Sequence, residues 1–159
     1  MVSKNKTLTH AQVVERMRKY CAYQERSHQE VRHKLLELGE RGNELENSIT
    51  ILIEEGFLDE ERFARAFARG KFRMKNWGRN KIVNELKRRA ISGYCINKAM
   101  TELNKDEYEA TLRKLAEKKA ASFKDLNIFT CKKKLSDFLI RKGYEPEQAW
   151  KAANSIYKK

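Results

Sequence analysis

The chain has 159 residues, of which 36% are charged, 40% are hydrophobic and only one is proline. This length suits one domain or a short array of small repeats, and the hydrophobic fraction argues against a disordered chain. The formal net charge of +13 favours an acidic partner, which would be a nucleic acid, an anionic membrane surface or an acidic protein, although a merely basic soluble protein is an alternative.

Capping signals and apolar spacing predict helices along the whole chain, and no stretch alternates with the period of two that marks a strand. A T-x-x-Q capping box at Thr9 opens a helix over about 9–24, and an S-x-x-E box at Ser27 opens a second helix that ends at Gly39. A third helix ends at Gly56. A fourth is capped by Asp59, and the remaining helices are expected at about 79–90, 93–103, 106–122, 128–142 and 146–157.

The middle helix of each group of three carries the same pattern of two apolar residues and a terminating residue. The pattern recurs at offsets of 51 and 53 residues, as Val31-Leu35-Gly39, Ile82-Leu86-Ala90 and Leu135-Leu139-Gly143. Chance similarity between amphipathic helices is the alternative explanation. We favour an all-α fold of three tandem three-helix repeats that form an elongated, curved array, with units at 1–56, 57–104 and 105–159.

The positive charge is concentrated between residues 62 and 89, where eleven Lys or Arg stand against one acidic residue, so that this segment carries +10 of the formal charge. On a helical wheel one stripe is basic and falls within about 80°; it comprises Arg62, Arg65, Arg69 and Arg73. A second stripe, expected to face the core, comprises Phe63, Phe67, Gly70 and Met74. The four arginines repel one another by roughly a few tenths of a kcal/mol per pair, a cost that an external polyanion or acidic groove would relieve.

Trp77 lies among lysines at the link between two helices. Such an indole is either a platform on which bases stack or a plug in the joint between repeats, and the plug is favoured. Glu85 is placed to pair with Lys81 or Arg89 at a spacing of four, so not every charge here is free. The predicted binding surface for an acidic partner consists of Arg62, Arg65, Arg69, Lys71, Arg73, Lys75, Arg79, Lys81, Arg88 and Arg89.

Sequence signatures of catalysis and metal binding are missing. The chain has no phosphate-binding loop, dinucleotide fingerprint, nucleophile elbow or H-E-x-x-H motif. We interpret the three histidines as surface residues, and the acidic run between residues 54 and 61 chiefly as helix capping rather than a divalent-metal site. We therefore expect no catalytic residue, no cofactor and no metal.

The cysteines and the termini bear on the cellular compartment. Cys21, Cys95 and Cys131 are odd in number and widely spaced, which argues against a disulfide framework or zinc site and predicts buried thiols in a reducing cytoplasm. The first ten residues lack the apolar core of a signal peptide, and the longest apolar run inside the chain is too short to span a bilayer.

Three stretches carry a family resemblance. They are the run GFLDEERFA from Gly56, the segment GRNKIVNELKRRAI from Gly78, and the S-x-x-E-V-x-x-K-L run from Ser27. Together they resemble the RecX family, bacterial regulators of the RecA recombinase, whose basic motif is G-P-x-R-I-x-x-E-L-x-x-[RK]-G-I. The resemblance covers nearly the whole chain, and the third repeat is its weakest part.

The chain departs from that motif at three positions. Arg79 replaces Pro and Lys81 replaces Arg, which retains or adds positive charge, while Ala90 replaces Gly and puts in doubt how that helix ends.

The resemblance implies a regulator without catalytic activity. Members of the family are elongated, curved three-repeat proteins that dock in the groove of the RecA–DNA filament and inhibit ATP hydrolysis, strand exchange and co-protease activity, and some bind DNA directly. The implied role is therefore inhibition of RecA in DNA repair and the SOS response, by a cytoplasmic monomer. The alternative is a general nucleic-acid-binding protein that acts without RecA, and the sequence leaves open whether the basic surface meets RecA or DNA.

Overall fold

A computed structural model of the chain describes residues 8–124 and 127–158, and within these ranges every regular element is a helix. This confirms the expected all-α class. The elements in chain order are α1 (His10–Tyr23), α2 (His28–Glu37), α3 (Gly42–Glu54), α4 (Glu60–Lys75), α5 (Arg79–Arg88), α6 (Gly93–Met100), α7 (Lys105–Ala120), α8 (Ile128–Arg141) and α9 (Pro146–Ile156). Residues 1–7, which belong to the stretch interpreted as lacking a signal peptide, lie outside the described ranges.

Local side-chain hydrogen bonds fix where the helices begin. The Thr9 hydroxyl accepts from the Gln12 amide at 3.1 Å while the Thr9 amide donates to the Gln12 side chain at 2.9 Å. Ser27 and Glu30 form the same reciprocal pair at the start of α2, and Asp59 caps α4. Each cap satisfies an amide that has no partner inside the helix and contributes about 1 kcal/mol.

The three middle helices end in the same backbone conformation. The terminating residues Gly39, Ala90 and Gly143 adopt left-handed φ angles of 93°, 59° and 106°. Ala90 therefore ends its helix as glycine does, although a side chain in this region costs about 1 kcal/mol or more. The paired apolar residues ahead of these terminators are all fully buried: Val31, Leu35, Ile82, Leu86, Leu135 and Leu139.

Two apolar clusters form the core. The first joins α1, α2 and α3 and includes Leu58 from the link to α4. The second runs continuously through α4 to α9, so the last six helices share one core. The chain exposes 10260 Å², whereas a compact monomer of 18.8 kDa would expose roughly 8,300 Å². The excess surface agrees with an elongated arrangement.

The α4–α6 and α7–α9 groups meet where two glycines bring their backbones together. The Gly78 amide donates to the Lys142 carbonyl and the Asn80 amide donates to the Gly143 carbonyl, both at 2.8 Å. A Cβ built on Gly78 would lie 2.4 Å from the Gly143 carbonyl carbon. Only glycine allows this approach, which places the end of α4 and the start of α5 against the end of α8.

The predicted inward stripe of α4 is wrong at its end. Phe63 is buried and Phe67 is partly buried, but Met74 is 81% exposed, and Phe72, which was not assigned to the stripe, is only 5% exposed. Phe72 packs parallel to Tyr108 with ring centroids 5.8 Å apart. The buried arc of α4 is therefore wider than a single stripe, because neighbours pack against it from more than one side.

One buried acid lies in the turn between α2 and α3. Glu40 has no exposed surface, accepts from the Ser48 hydroxyl at 2.5 Å and lies 2.7 Å from His10 Nδ1. His10 is consequently a partner of a core carboxylate rather than an ordinary surface histidine. Burying a carboxylate without such hydrogen bonds would be strongly unfavourable.

Candidate functional site

The arginine face of α4, which comprises Arg62, Arg65, Arg69 and Arg73, is largely neutralised within the chain. Glu102, which follows α6, accepts from Arg65 at 2.7 Å and from Arg69 at 3.0 Å, and Glu61 accepts from Arg65 at 2.9 Å. The repulsion at Arg65 and Arg69 is therefore already relieved within the chain, and their contact with an acidic partner stays a prediction. Their charges hold α4 to the turn after α6.

Both arginines stabilise the ionised form of the Glu102 carboxylate. Hydrogen bonds from Arg65 and then Arg69 hold the pKa of Glu102 below its usual range. The bonds from Glu102 and Glu61 raise the pKa of Arg65 in turn. This cluster consequently stays ionised at any pH near neutrality.

A third arginine of α4 contacts the first group of helices. Arg62 Nε donates at 2.6 Å to a carboxylate oxygen of Glu25, which lies in the link between α1 and α2. Arg73 is exposed and forms no ion pair within 4 Å with an acidic residue of the described ranges.

Arg79 is built into the joint between α5 and α9. Its guanidinium lies 3.9 Å from the centre of the Tyr108 ring and donates to Glu145 at 3.0 Å. The Tyr108 hydroxyl accepts from the Arg79 amide at 3.0 Å and donates to Glu145 at 2.7 Å. Burial acts to raise the pKa of Glu145, but the hydrogen bonds outweigh it and the pKa lies below its usual range. Arg79 therefore acts structurally in this joint.

Glu85 takes one of its two expected partners. It accepts from Arg89 at 3.0 Å and lies 3.7 Å from Arg88, whereas its pair with Lys81 is not formed. Arg89 also lies 4.7 Å above the Phe67 ring. The C-terminal end of α5 thus carries two arginines that share one carboxylate.

Four lysines around Trp77 form a different environment, which we call the lysine cluster: Lys71, Lys75, Lys81 and Lys142. The ammonium groups of Lys71 and Lys81 lie 5.1 and 4.7 Å from the indole centre. Lys142 Nζ donates to the Lys75 carbonyl at 3.0 Å. Within the part of the chain that the structure describes, none of the four pairs with a carboxylate within 4 Å.

The indole of Trp77 favours the plug over the stacking platform. It is only partly exposed and packs edge-on against Phe67 with ring centroids 6.3 Å apart. The lysine side chains occupy the space over the ring, which leaves little of it for a base.

Lys142 is the member of the cluster that the sequence did not indicate. Burial, and then the charges of Lys81 and Lys75, lower its pKa. This lysine precedes the terminating Gly143, 61 residues or more from the other three, so only the glycine contact between the two helix groups brings it to the site.

The acidic run between residues 54 and 61 and the three cysteines have structural roles. Glu60 accepts from the Ser92 amide at 3.0 Å, and Glu55 binds Arg18 at 2.8 Å. The three cysteines are buried, as predicted, and burial raises the pKa of Cys21 to about 11, which leaves its thiol unreactive. No helix in the described ranges has the length and apolarity required to cross a membrane.

Comparison with known proteins identifies the relatives of this sequence. The family model for the second three-helix domain of RecX matches residues 59–100, and the model for the third matches residues 106–152. The regulatory protein RecX of Pelodictyon phaeoclathratiforme is 34% identical over 122 residues, which cover 76% of this chain and 74% of that protein. The regulatory protein RecX of Clostridium perfringens is 29% identical, and the chain spans only 61% of its length.

A solved structure has the same fold. The crystal structure of RecX from Lactobacillus salivarius superposes with a TM-score of 0.82 at 19% identity, and the match covers 92% of this chain and 96% of that one.

Proposed function

The chain belongs to the RecX family, and from this premise we propose that it binds RecA filaments on DNA and inhibits their ATP hydrolysis, strand exchange and co-protease activity. It would act in the cytoplasm by binding rather than by catalysis, in the control of DNA repair and the SOS response. The match to two three-helix domain models of a family of regulatory proteins is the observation that carries this proposal.

The basic surface between residues 62 and 89 supports an acidic assembly as partner. The formal charge of +10 on this segment is offset in part by Glu25, Glu61, Glu102 and Glu145. The positive charge that remains favours association with a polyanion and makes binding sensitive to salt. We further propose that the array consists of the units 1–56, 57–104 and 105–159, so that the basic residues lie in the middle unit. A long array can contact several subunits of a filament at once.

The direct test is an ATPase titration of RecA on single-stranded DNA. The parent chain is expected to suppress ATP hydrolysis at or below one molecule per RecA subunit. Undiminished hydrolysis at excess protein would refute the proposal.

The choice of variant for that titration follows from the ion pairs. Reversal of Arg65 and Arg69 to glutamate would place new carboxylates beside Glu102 and loosen α4, so lost inhibition would not report on binding. Neutralisation in Lys71→Gln/Lys81→Gln breaks no described ion pair and adds no carboxylate beside Glu85, and Lys114→Gln/Lys118→Gln on the exposed face of α7 removes the same charge elsewhere. Weaker inhibition by the first pair alone supports the basic surface as the contact; equal inhibition by both pairs would exclude it.

Binding of nucleic acid without RecA is the second candidate function. The observation in its favour is that the lysine cluster has no carboxylate partner in the described ranges. Under this reading the chain would bind DNA tightly yet leave the RecA ATPase unaffected, a combination that the titration and a DNA-binding assay together detect.

A further inference from the structure

Most arginines of the basic surface are paired with a carboxylate of the same chain, whereas its lysines are not. Each of six arginines lies within 4 Å of a glutamate of the same chain: Arg62, Arg65, Arg69, Arg79, Arg88 and Arg89. The lysine cluster has no such match among the described residues. Apart from Arg73 and Lys87, the charge of the described segment that remains available to a ligand lies around Trp77.

We propose that the lysine cluster is a binding site for the phosphodiester backbone of DNA, formed jointly by α4, α5 and the end of α8. This assignment deepens the proposed function and rests on it, since it names the component of the filament that the basic surface contacts. Its new element is Lys142, which makes the third group of helices part of the site.

Backbone contacts hold the framework of the cluster together in the absence of a ligand. Lys71 and Lys75 lie on α4, Lys81 lies on α5 and Lys142 ends α8, and the contact of Gly78 with Gly143 holds these elements together. The four charges are thus collected without a cost of ordering the backbone at binding. Their mutual repulsion, which no described carboxylate within 4 Å offsets, is what an anion would relieve.

The side-chain chemistry favours phosphate over carboxylate as the ligand. An arginine guanidinium matches a carboxylate through a two-pronged contact, whereas a lysine ammonium acts as a compact point charge that suits phosphate oxygens. In the basic surface six of the seven arginines, all except Arg73, are paired with described carboxylates, and the lysines are not. A protein ligand that offered glutamates would find most of the better-matched groups already paired.

The position of Trp77 determines the mode of binding. Its ring packs against Phe67 beneath two lysine side chains, so the site contacts the backbone of the strand and does not stack its bases. Binding at this site should therefore be independent of base sequence and strongly dependent on salt.

The test measures binding of the full chain to a fluorescent oligo(dT) strand by anisotropy, without RecA, over a range of salt concentrations. Each lysine–phosphate contact on a single strand contributes about 0.7 to the slope of log K against log salt. The double variant Lys75→Gln/Lys142→Gln should make that slope shallower by about 1.4, since two contacts are lost. An independent pair, Lys71→Gln/Lys81→Gln, should have the same effect.

Matched variants separate the site from general charge. Lys114→Gln/Lys118→Gln removes two exposed lysines of α7 and should leave the slope unchanged, while Lys75→Arg/Lys142→Arg should restore binding. Thermal unfolding of each variant verifies that the fold is retained.

Three results would overturn the assignment: no binding of oligo(dT) by the parent, an equal loss of slope in the α7 control, or displacement of the strand by polyglutamate at matched charge. Because RecA is absent, any of these leaves the ATPase titration intact as a separate test. Conversely, a failed titration with oligo(dT) binding retained would refute RecA inhibition and not the site.

Discussion

Substitution of Gly78 by alanine tests the joint on which the candidate site depends. The backbone at Gly78 has φ −82°, which any residue adopts, so the change adds a methyl group without backbone strain. That methyl carbon would lie 2.4 Å from the Gly143 carbonyl carbon and 2.5 Å from the Tyr144 amide nitrogen. Both obstacles are backbone atoms, which cannot rotate away as a side chain can.

The expected loss of stability follows from what must separate. Restoring an ordinary contact of 3.4 Å moves the two backbones apart by about 1 Å, a displacement that overpacking studies associate with about 1–3 kcal/mol. The same movement breaks two backbone hydrogen bonds of 2.8 Å, from Gly78 to Lys142 and from Asn80 to Gly143, at about 1 kcal/mol each. Gly78→Ala should therefore lower the free energy of unfolding by about 4 kcal/mol.

Urea unfolding followed by circular dichroism measures this change, and Gly70 provides the matched control. Gly70 lies inside α4, and a Cβ built there meets nothing within 4 Å. Gly70→Ala should therefore raise the free energy of unfolding by about 0.5–1 kcal/mol through helix propensity. If the free energy of unfolding of Gly78→Ala lies within about 1 kcal/mol of that of the parent, the close approach of the two glycines does not hold the two helix groups together.

Four further substitutions have predicted effects on stability that the same unfolding measurement checks. Ala90→Gly should stabilise the chain by up to about 1 kcal/mol, because it removes the cost of a left-handed side chain; a loss of stability would contradict this. Glu102→Gln should cost about 1 kcal/mol at neutral pH. Because the folded pKa of Glu102 is depressed, the parent's advantage is present above the unfolded pKa of about 4.3 and fades as pH falls through the folded pKa; an advantage that persists in strong acid would refute the ion pairs. Phe72→Ala should cost about 3–5 kcal/mol and Met74→Ala under about 0.5 kcal/mol, as their burial requires, and a reversed order would restore the original stripe.

Helix positions were predictable because their causes are local. A capping box such as Thr9 with Gln12 involves residues three apart, and the reciprocal bonds form wherever the chain enters a helix. The left-handed terminators were predicted at two glycines on the same grounds. At Ala90 the repeat alone indicated a helix end, and the backbone adopts it despite the alanine.

The partners of charged groups were less predictable. Glu40 has polar neighbours in the sequence, yet it is buried against Ser48 and His10, which come from two other segments. The stripe on α4 was misjudged at Met74, because burial on a helix depends on what packs against each turn. The apolar periodicity of a single helix predicts neither the burial of Glu40 nor the exposure of Met74.

The basic segment illustrates which electrostatic properties follow from the residues alone and which require the fold. Its residues and its net charge are given by the sequence, since formal charge is a sum over residues and needs no geometry. Which of those charges is available to a partner was decided by the tertiary structure: Glu102 and Glu145 approach from the turn after α6 and the start of α9, and Lys142 joins Lys75 through the contact of two glycines. Electrostatic interactions depend on distance through space, and 67 residues separate the last pair along the chain.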